Sequence, residues 1–326
     1  MEALFAAFDG HVLRALVELD IPDTLHRPMA VKQLAERIEC DPSGLHRLLR
    51  YGAARGFVKI DRRGRVGPTG VTAALRTDAA APWHGWVRFA TSDWADTALR
   101  HLAPSLRADS SPAFELAHGV DFFEFTTSVN PEAGETFDLA MTAGATLQGI
   151  VLARGLDWDD IHSVCDVGGG HGATLEVIQR YHPALTAVLL DLPDVVARSS
   201  FDSEAGDRPR QTVGGSFFDA LPAGHDRYLL LAIVHDWDDP RASTILSNVA
   251  DAMGPDGEAV VVETIASDRP RDDFAAASDL LMLVLASGRE RTDADYRRLF
   301  DNAGLTIADQ RLLPTGATAF TLRRSS

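Results

Sequence analysis

The chain is poor in cysteine, in positive charge and in long apolar runs, and each shortage excludes something. Two cysteines, Cys40 and Cys165, occur in 326 residues, far apart and in apolar segments. That usage fits buried free thiols in a reducing compartment and gives no disulfide framework. Lysine and arginine total 31 against 47 acids, a formal net charge of −16. Binding to a phosphate backbone rests on clustered positive charge, so neither nucleic acid nor an anionic membrane surface is expected as a partner. The N-terminal stretch MEALFAAFDG lacks the basic start and long apolar core of a secretion signal. The strongest continuous apolar runs, Tyr228–Val234 and Leu280–Ala286, fall far short of the roughly 20 residues of a membrane span. A cytoplasmic location without a membrane partner is the expectation.

What is present points to about two domains. Leu4, Phe8, Val12, Ala15, Leu16 and Leu19 recur at helical spacing. Residues 31–66 read as helix, turn, helix and a short hairpin around Arg62-Arg63-Gly64, a winged-helix pattern with Asp41 as N-cap before Pro42. Residues 83–156 read as mostly helical and rich in aromatics, among them Trp94 and Phe137. From about residue 160 short β-rich runs alternate with helical ones: HSVCDV, TAVLLDL, YLLLAIV and EAVVVE each precede a helical stretch. That alternation predicts an α/β fold with a doubly wound parallel sheet. Leu305–Gln310 and Ala319–Arg323 are expected to close it as an antiparallel pair. The division expected is a helical domain at 1–155 and a Rossmann-like domain at 156–326.

The stretch DVGGGHGA lies between a strand and a helix. Glycines there let the backbone turn tightly and approach a ligand beside the positive end of a helix. Gly168-x-Gly170-x-x-Ala173 fits the dinucleotide fingerprint, while Asp166-x-Gly168-x-Gly170-x-Gly172 fits an S-adenosylmethionine (SAM) loop; a purely structural turn is the third reading. Asp191 lies nineteen residues beyond Gly172, at the end of the next strand. A carboxylate there accepts hydrogen bonds from ribose hydroxyls in either cofactor.

The segment LLLAIVHDWDDPRA drives an apolar strand to a histidine, His235. Ligands of open α/β sheets bind beyond the carboxyl ends of the strands. Gly168, Asp191, Ser216, His235 and Glu263 all fall at such ends, so a parallel sheet puts them on one rim. Alone, His235 reads as a core or cap histidine and Glu290, in SGRERT, as solvated surface. Together with Glu263, which closes EAVVVE, they read as a base and two acids. A neutral imidazole takes a proton near physiological pH. Carboxylates on its far nitrogen fix the tautomer and stabilise the imidazolium. A phenol, with a pKa of about 10, needs such a base before its oxygen attacks a sulfonium. A dry aromatic pocket suits that charge-neutralising step.

DVGGGHGATLEVI, LLDLPDVV, VGGSFFDALP, VHDWDDPRAS and GRERTDADYRRLFDNAGL, in that order, together with LHRLLRYGAARGFV and FELAHGVDFFEF, resemble the blocks of a known family. The chain is similar over nearly its whole length to the SAM-dependent O-methyltransferases of the plant caffeic-acid/flavonoid type, in the bacterial branch acting on aromatic natural products. The resemblance implies a class I methyltransferase domain and an N-terminal winged-helix segment that dimerises the protein and closes the partner's pocket. It implies SAM as methyl donor, S-adenosylhomocysteine (SAH) as product, and no metal; His162, His171 and His182 have no recognisable ligand spacing. It implies His235 as catalytic base, flanked by Glu263 and Glu290 across the family's 28-residue step from His235 to Glu263. Asp166, Gly168, Gly170, Asp191, Ser216, Phe217 and Trp237 fall on cofactor positions. Met282, which alone would read as core, aligns with a clamp on the aromatic acceptor; Trp94, Phe137, Met141 and Asp236 join it as acceptor candidates. Ser216 and Leu231 stand where the family often has an acid and a lysine. The competing readings are a relative that keeps SAM for non-methylating chemistry, a winged-helix ligand-responsive regulator, and an NAD(P)-linked reductase.

Overall fold

The computed structural model describes residues 5–202, 208–267, 273–286 and 288–325. Leu4 and part of the polar 202–211 loop lie outside the described residues. The backbone separates into two compact units, Met1–Asp96 with Glu132–Gly144, and Thr97–Pro131 with Ala145–Ser326. The chain therefore passes between the units after residues 96, 131 and 144, not once near residue 155.

In the first unit the winged-helix pattern is present. Helices Val31–Arg37 and Pro42–Ala54 precede strands β2 (Val58–Ile60) and β3 (Arg65–Pro68), and β1 (Met29–Ala30) pairs with β3. Asp41 caps the second helix, its carboxylate accepting from the Gly44 N–H at 2.6 Å. Leu16, Ile21, Leu34, Leu45, Leu49, Val58 and Val66 form the core under it.

The second unit is built on a seven-stranded sheet. Its strands are β4 (Ser163–Val167), β5 (Thr186–Asp191), β6 (Arg210–Gly214), β7 (Arg227–Leu231), β8 (Glu258–Glu263), β9 (Leu305–Leu312) and β10 (Thr318–Arg324). The order is β6-β5-β4-β7-β8-β10-β9. The neighbours from β6 to β8 run parallel, and β10 runs antiparallel to both β8 and β9. The near-continuous apolar letters of β7 and β8 follow from burial on both faces. Cys165, Val167, Tyr228, Leu230, Val261, Ile245 and Val249 fill one face; Val164, Leu189, Leu229, Val260, Leu175 and Ile178 fill the other. The order reverses between β4 and β7, the switch point at which open α/β sheets carry ligands.

Two elements depart from the expectations. The edge strand β6 has no apolar run: Arg210, Gln211 and Thr212 lead it. Strand β7 stops at Leu231, four residues before His235. Ala232 takes a left-handed φ of 53°, and a short 3-10 turn, Val234–Asp236, carries the histidine.

Among the described residues one helix, Pro131–Gly155, is long and apolar enough to cross a membrane by length and composition alone. Thr142, Gly144, Thr146, Gln148 and Gly149 interrupt its apolar residues, so no continuous run reveals it. Ala140, Ala143, Leu152 and Ala153 on it are buried, and Gly149 lies where a Cβ would meet the Thr174 carbonyl at 3.0 Å.

Candidate active site

At the switch point the glycine loop makes three left-handed turns, at Gly168 (φ 73°), Gly170 (φ 59°) and Gly172 (φ 86°). L-residues avoid this region because Cβ crowds the following carbonyl. Two of the positions are also tight. A Cβ on Gly168 would lie 2.6 Å from Ile233, and one on Gly172 2.7 Å from Phe201. Gly170 instead faces open space. The loop is thus pressed against β7's exit on one side and bare on the other, a cradle suited to a ligand. Helix Ala173–Tyr181 begins directly behind it.

Asp191, the last residue of β5, accepts from the Gly170 N–H at 2.8 Å and from the Leu192 N–H at 2.7 Å. Beneath the loop Asp166 is buried, and burial, reinforced by the nearby Asp191 charge, pushes its carboxyl up to about 7. Ser216 follows β6, its hydroxyl accepting from the Phe218 N–H at 3.1 Å. Phe217, Phe218 and Trp237 pack edge to face, with ring centroids 4.8 to 5.8 Å apart. Phe123 stacks flat on Trp237 at 5.5 Å. A backbone cradle, an acid at the end of β5 and an aromatic wall fit a nucleoside cofactor.

His235 sits beside this wall. Its Nδ1 lies 3.1 Å from Glu290 Oε1 and 3.7 Å from Glu263 Oε2; its Nε2 lies 3.5 Å from Asp236 Oδ1. Both glutamate side chains are fully buried, while 12% of the histidine side chain remains exposed. Glu263 Oε1 accepts from the Val234 N–H at 2.8 Å, and Ser278 donates to Glu290 Oε1 at 2.6 Å. The three donor atoms lie within 4.8 Å of one another, a spacing that also suits a cation.

The charges are strongly coupled. Burial alone lowers the pKa of His235, but Glu263, Asp236 and Glu290 outweigh it and push the imidazole up to about 10. Burial raises Glu263 to about 7, with the His235 charge opposing. Asp236 rises to about 6, again chiefly by burial. A proton on Nδ1 is therefore held between two acids, which leaves Nε2 as the nitrogen able to exchange one.

Most of the predicted residues of the second unit gather on this rim: Asp166, Gly168, Gly170, Asp191, Ser216, Phe217, His235, Asp236, Trp237, Glu263 and Glu290. Met282 is buried on helix Asp273–Leu285. Trp94 and Phe137 both pack on Phe89 within the first unit, with centroids 5.4 and 5.8 Å from it, and Met141 is half-buried on the same helix as Phe137. Two further residues beside the site carry no signal in the sequence. Gly288 packs so closely that a Cβ would clash with the His235 carbonyl, and Arg291 is buried beside Glu290. Their letters match those of an ordinary polar loop.

Comparison with known proteins decides the family. Residues 99–306 match the model of an O-methyltransferase domain, and residues 1–78 that of an O-methyltransferase dimerisation domain. The chain belongs to the SAM-dependent O-methyltransferases. This O-methyltransferase is 31% identical over 323 residues to a mitomycin biosynthesis 6-O-methyltransferase of Streptomyces lavendulae, covering 97% of this chain and 90% of that one. It is 36% identical over 300 residues to a 3-amino-4-hydroxybenzoate 4-O-methyltransferase of Streptomyces cremeus, covering 90% and 80%. Among solved structures, an O-methyltransferase from neocarzinostatin biosynthesis, in complex with SAM and 2-hydroxy-5-methyl naphthoic acid, superposes with a TM-score of 0.75 at 30% identity, over 97% of this chain and 96% of that one. The methyl donor of the O-methyltransferase is SAM, its product SAH, and the family requires no metal. The reductase reading of the glycine loop is set aside.

Proposed function

We propose that this O-methyltransferase moves the SAM methyl group to a phenolic hydroxyl of an aromatic natural product, with His235 as general base oriented by Glu263 and Glu290. The observation that carries the reading is the pair of buried carboxylates facing Nδ1 of a histidine at the switch-point rim. Gly168, Gly170 and Asp166 form the cofactor's floor, Asp191 serves its ribose, and Ser216, Phe217 and Trp237 line its adenine side. Met282, Asp236, Trp94, Phe137 and Met141 are the proposed acceptor contacts. Residues 1–78 dimerise two copies. The relatives' names, a hydroxybenzoate and a naphthoate among them, support acceptors of one or two aromatic rings.

The raised proton affinity of His235 serves this chemistry. An unperturbed imidazole at about 6.5 is some 3.5 units short of a phenol at about 10. The three acids raise His235 toward that range, which brings the transfer closer to balance. Glu263 and Glu290 then hold the imidazolium that forms. Bound SAM supplies the electrophilic methyl and a sulfonium charge, which disfavours a second cation nearby and so favours neutral His235 before transfer. Burial of the acids keeps their fields unscreened by water.

The test is product mass. Incubation with SAM and a panel of hydroxybenzoates and hydroxynaphthoates yields acceptor plus one methyl, with the hydroxyl lost as a site of acetylation. SAM binding without methyl gain on any acceptor overturns methyl transfer and favours the repurposed relative.

A further inference from the structure

The His235 turn is an awkward piece of backbone. It leaves β7 through Ala232, a non-glycine residue at φ 53°. Such a residue is strained and persists only when its surroundings over-determine it. The turn's own hydrogen bonds are long, from the Asp236 N–H to the Ile233 carbonyl at 3.3 Å and from the Trp237 N–H to the Val234 carbonyl at 3.5 Å, and buried carbonyls demand partners. Shorter bonds come from one distant segment. The Arg289 N–H donates to the His235 carbonyl at 2.8 Å. The Arg291 guanidinium donates to the Val234 carbonyl at 2.8 Å and to the Trp237 carbonyl at 2.7 Å, one on each side of the histidine. Two further N–H groups reach Asp239 Oδ1 at 2.9 and 2.8 Å, at the start of helix Asp239–Ala252. Gly288 lets this segment lie directly on the turn.

Arg291 is itself held. Its side chain is 0% exposed, its carbonyl accepts from the Ala266 N–H at 2.9 Å, and it pairs with Ile265 beyond the end of β8. Ile265 lies two residues past Glu263, and Glu290 is the residue before Arg291. One rigid fork therefore ties the turn that carries His235 to both segments that carry its acids.

We propose that Arg291 is the positioning residue of the base: its guanidinium sets the aim of His235 toward Glu263, Glu290 and the acceptor without touching substrate. This rests on His235 being the base. The fork geometry is the essential feature, because an ammonium has three donors on a flexible stem and cannot span two carbonyls and a carboxylate with the same rigidity.

Arg291→Lys is the first variant and Asp239→Asn the second; the latter loosens the guanidinium from its half-exposed side while leaving the interior filled. Three quantities are measured on folded protein: kcat and KM with a phenolic acceptor, SAH affinity by calorimetry, and the NMR signal of the His235 Nδ1 proton in histidine-labelled protein. Displacing a reacting group by about 1 Å costs on the order of 100-fold. The expected result for Arg291→Lys is a kcat about 10–100-fold lower, SAH affinity within about 3-fold, and a Nδ1 proton signal that shifts or broadens; Asp239→Asn moves each in the same direction by less. An unchanged kcat and an unchanged Nδ1 signal overturn the proposal, as does a parallel loss of SAH affinity and kcat, which marks general loosening of the fold. If wild type methylates no phenol, the functional reading has failed, and the Nδ1 signal alone still decides whether Arg291 aims His235.

Discussion

The glycine loop and the histidine turn lie on the same rim and are built by opposite means. The loop is contiguous in sequence and works through backbone: three left-handed glycines, an exposed face at Gly170 and a single acid from the next strand. The base cluster works through side chains. Its members come from three segments, at 235, 263 and 290, and its backbone tolerates a left-handed alanine, because distant residues hold it. A site of backbone is specified locally and fails when a Cβ is added. A site of side chains is specified by the fold and fails when a charge is removed.

That contrast can be broken at its strongest point first. Replacing both Glu263 and Glu290 by glutamine removes two of the three acidic charges that raise His235 and leaves Asp236. kcat is expected to fall on the order of 10²–10³-fold, within the range for general-base catalysis, while SAH binds within about 3-fold of wild type. The pH profile sharpens this. In wild type the three acids raise the imidazole, so activity keeps rising with pH above 8 as neutral His235 accumulates. In the double variant the inflection moves down toward that of an ordinary histidine. An unmoved inflection separates the acids from the base.

A smaller effect is expected from the loop, and it falls on the other quantity. Gly168→Ala combines left-handed strain with a 2.6 Å approach to Ile233. Strain of about 1–2 kcal/mol and overpacking of about 1–3 kcal/mol together weaken SAH binding or stability by about 30-fold or more in equilibrium constant. Gly170→Ala meets open space, so only the strain remains and the loss is the smaller of the two. Equal losses at the two positions contradict the picture of a loop pressed against β7. Calorimetry with SAH and thermal unfolding read both.

Much of this was legible in the letters, for identifiable reasons. Strands β4, β5, β7 and β8 announce themselves because burial on both faces demands unbroken apolar runs. The winged-helix segment shows through the Asp41-Pro42 cap and the hairpin glycine. Strand β6 is hidden because an edge strand led by Arg210, Gln211 and Thr212 needs no apolar run. The end of β7 is overshot because Ile233 and Val234 stay buried under the turn after the strand has finished. Arg291 is hidden for a deeper reason: a buried guanidinium satisfied by carbonyls 57 and 54 residues away has the same letter as a solvated one. Glu290 shares that ambiguity, and only the sheet brings it to His235.

The most direct test of the base assignment varies the acceptor's own acidity. Methyl transfer by wild type and by His235→Ala is measured at pH 7 across a series of phenols, from an unactivated phenol with a pKa of about 10 to nitro-substituted acceptors already ionised at that pH. A base matters only where a proton must be removed. The variant is predicted to lose about 10²–10⁴-fold with the unactivated phenol and to recover most of that loss with the ionised acceptors, SAH affinity being preserved throughout. A loss of the same size across the whole series contradicts His235 as the base and leaves it a structural or binding residue.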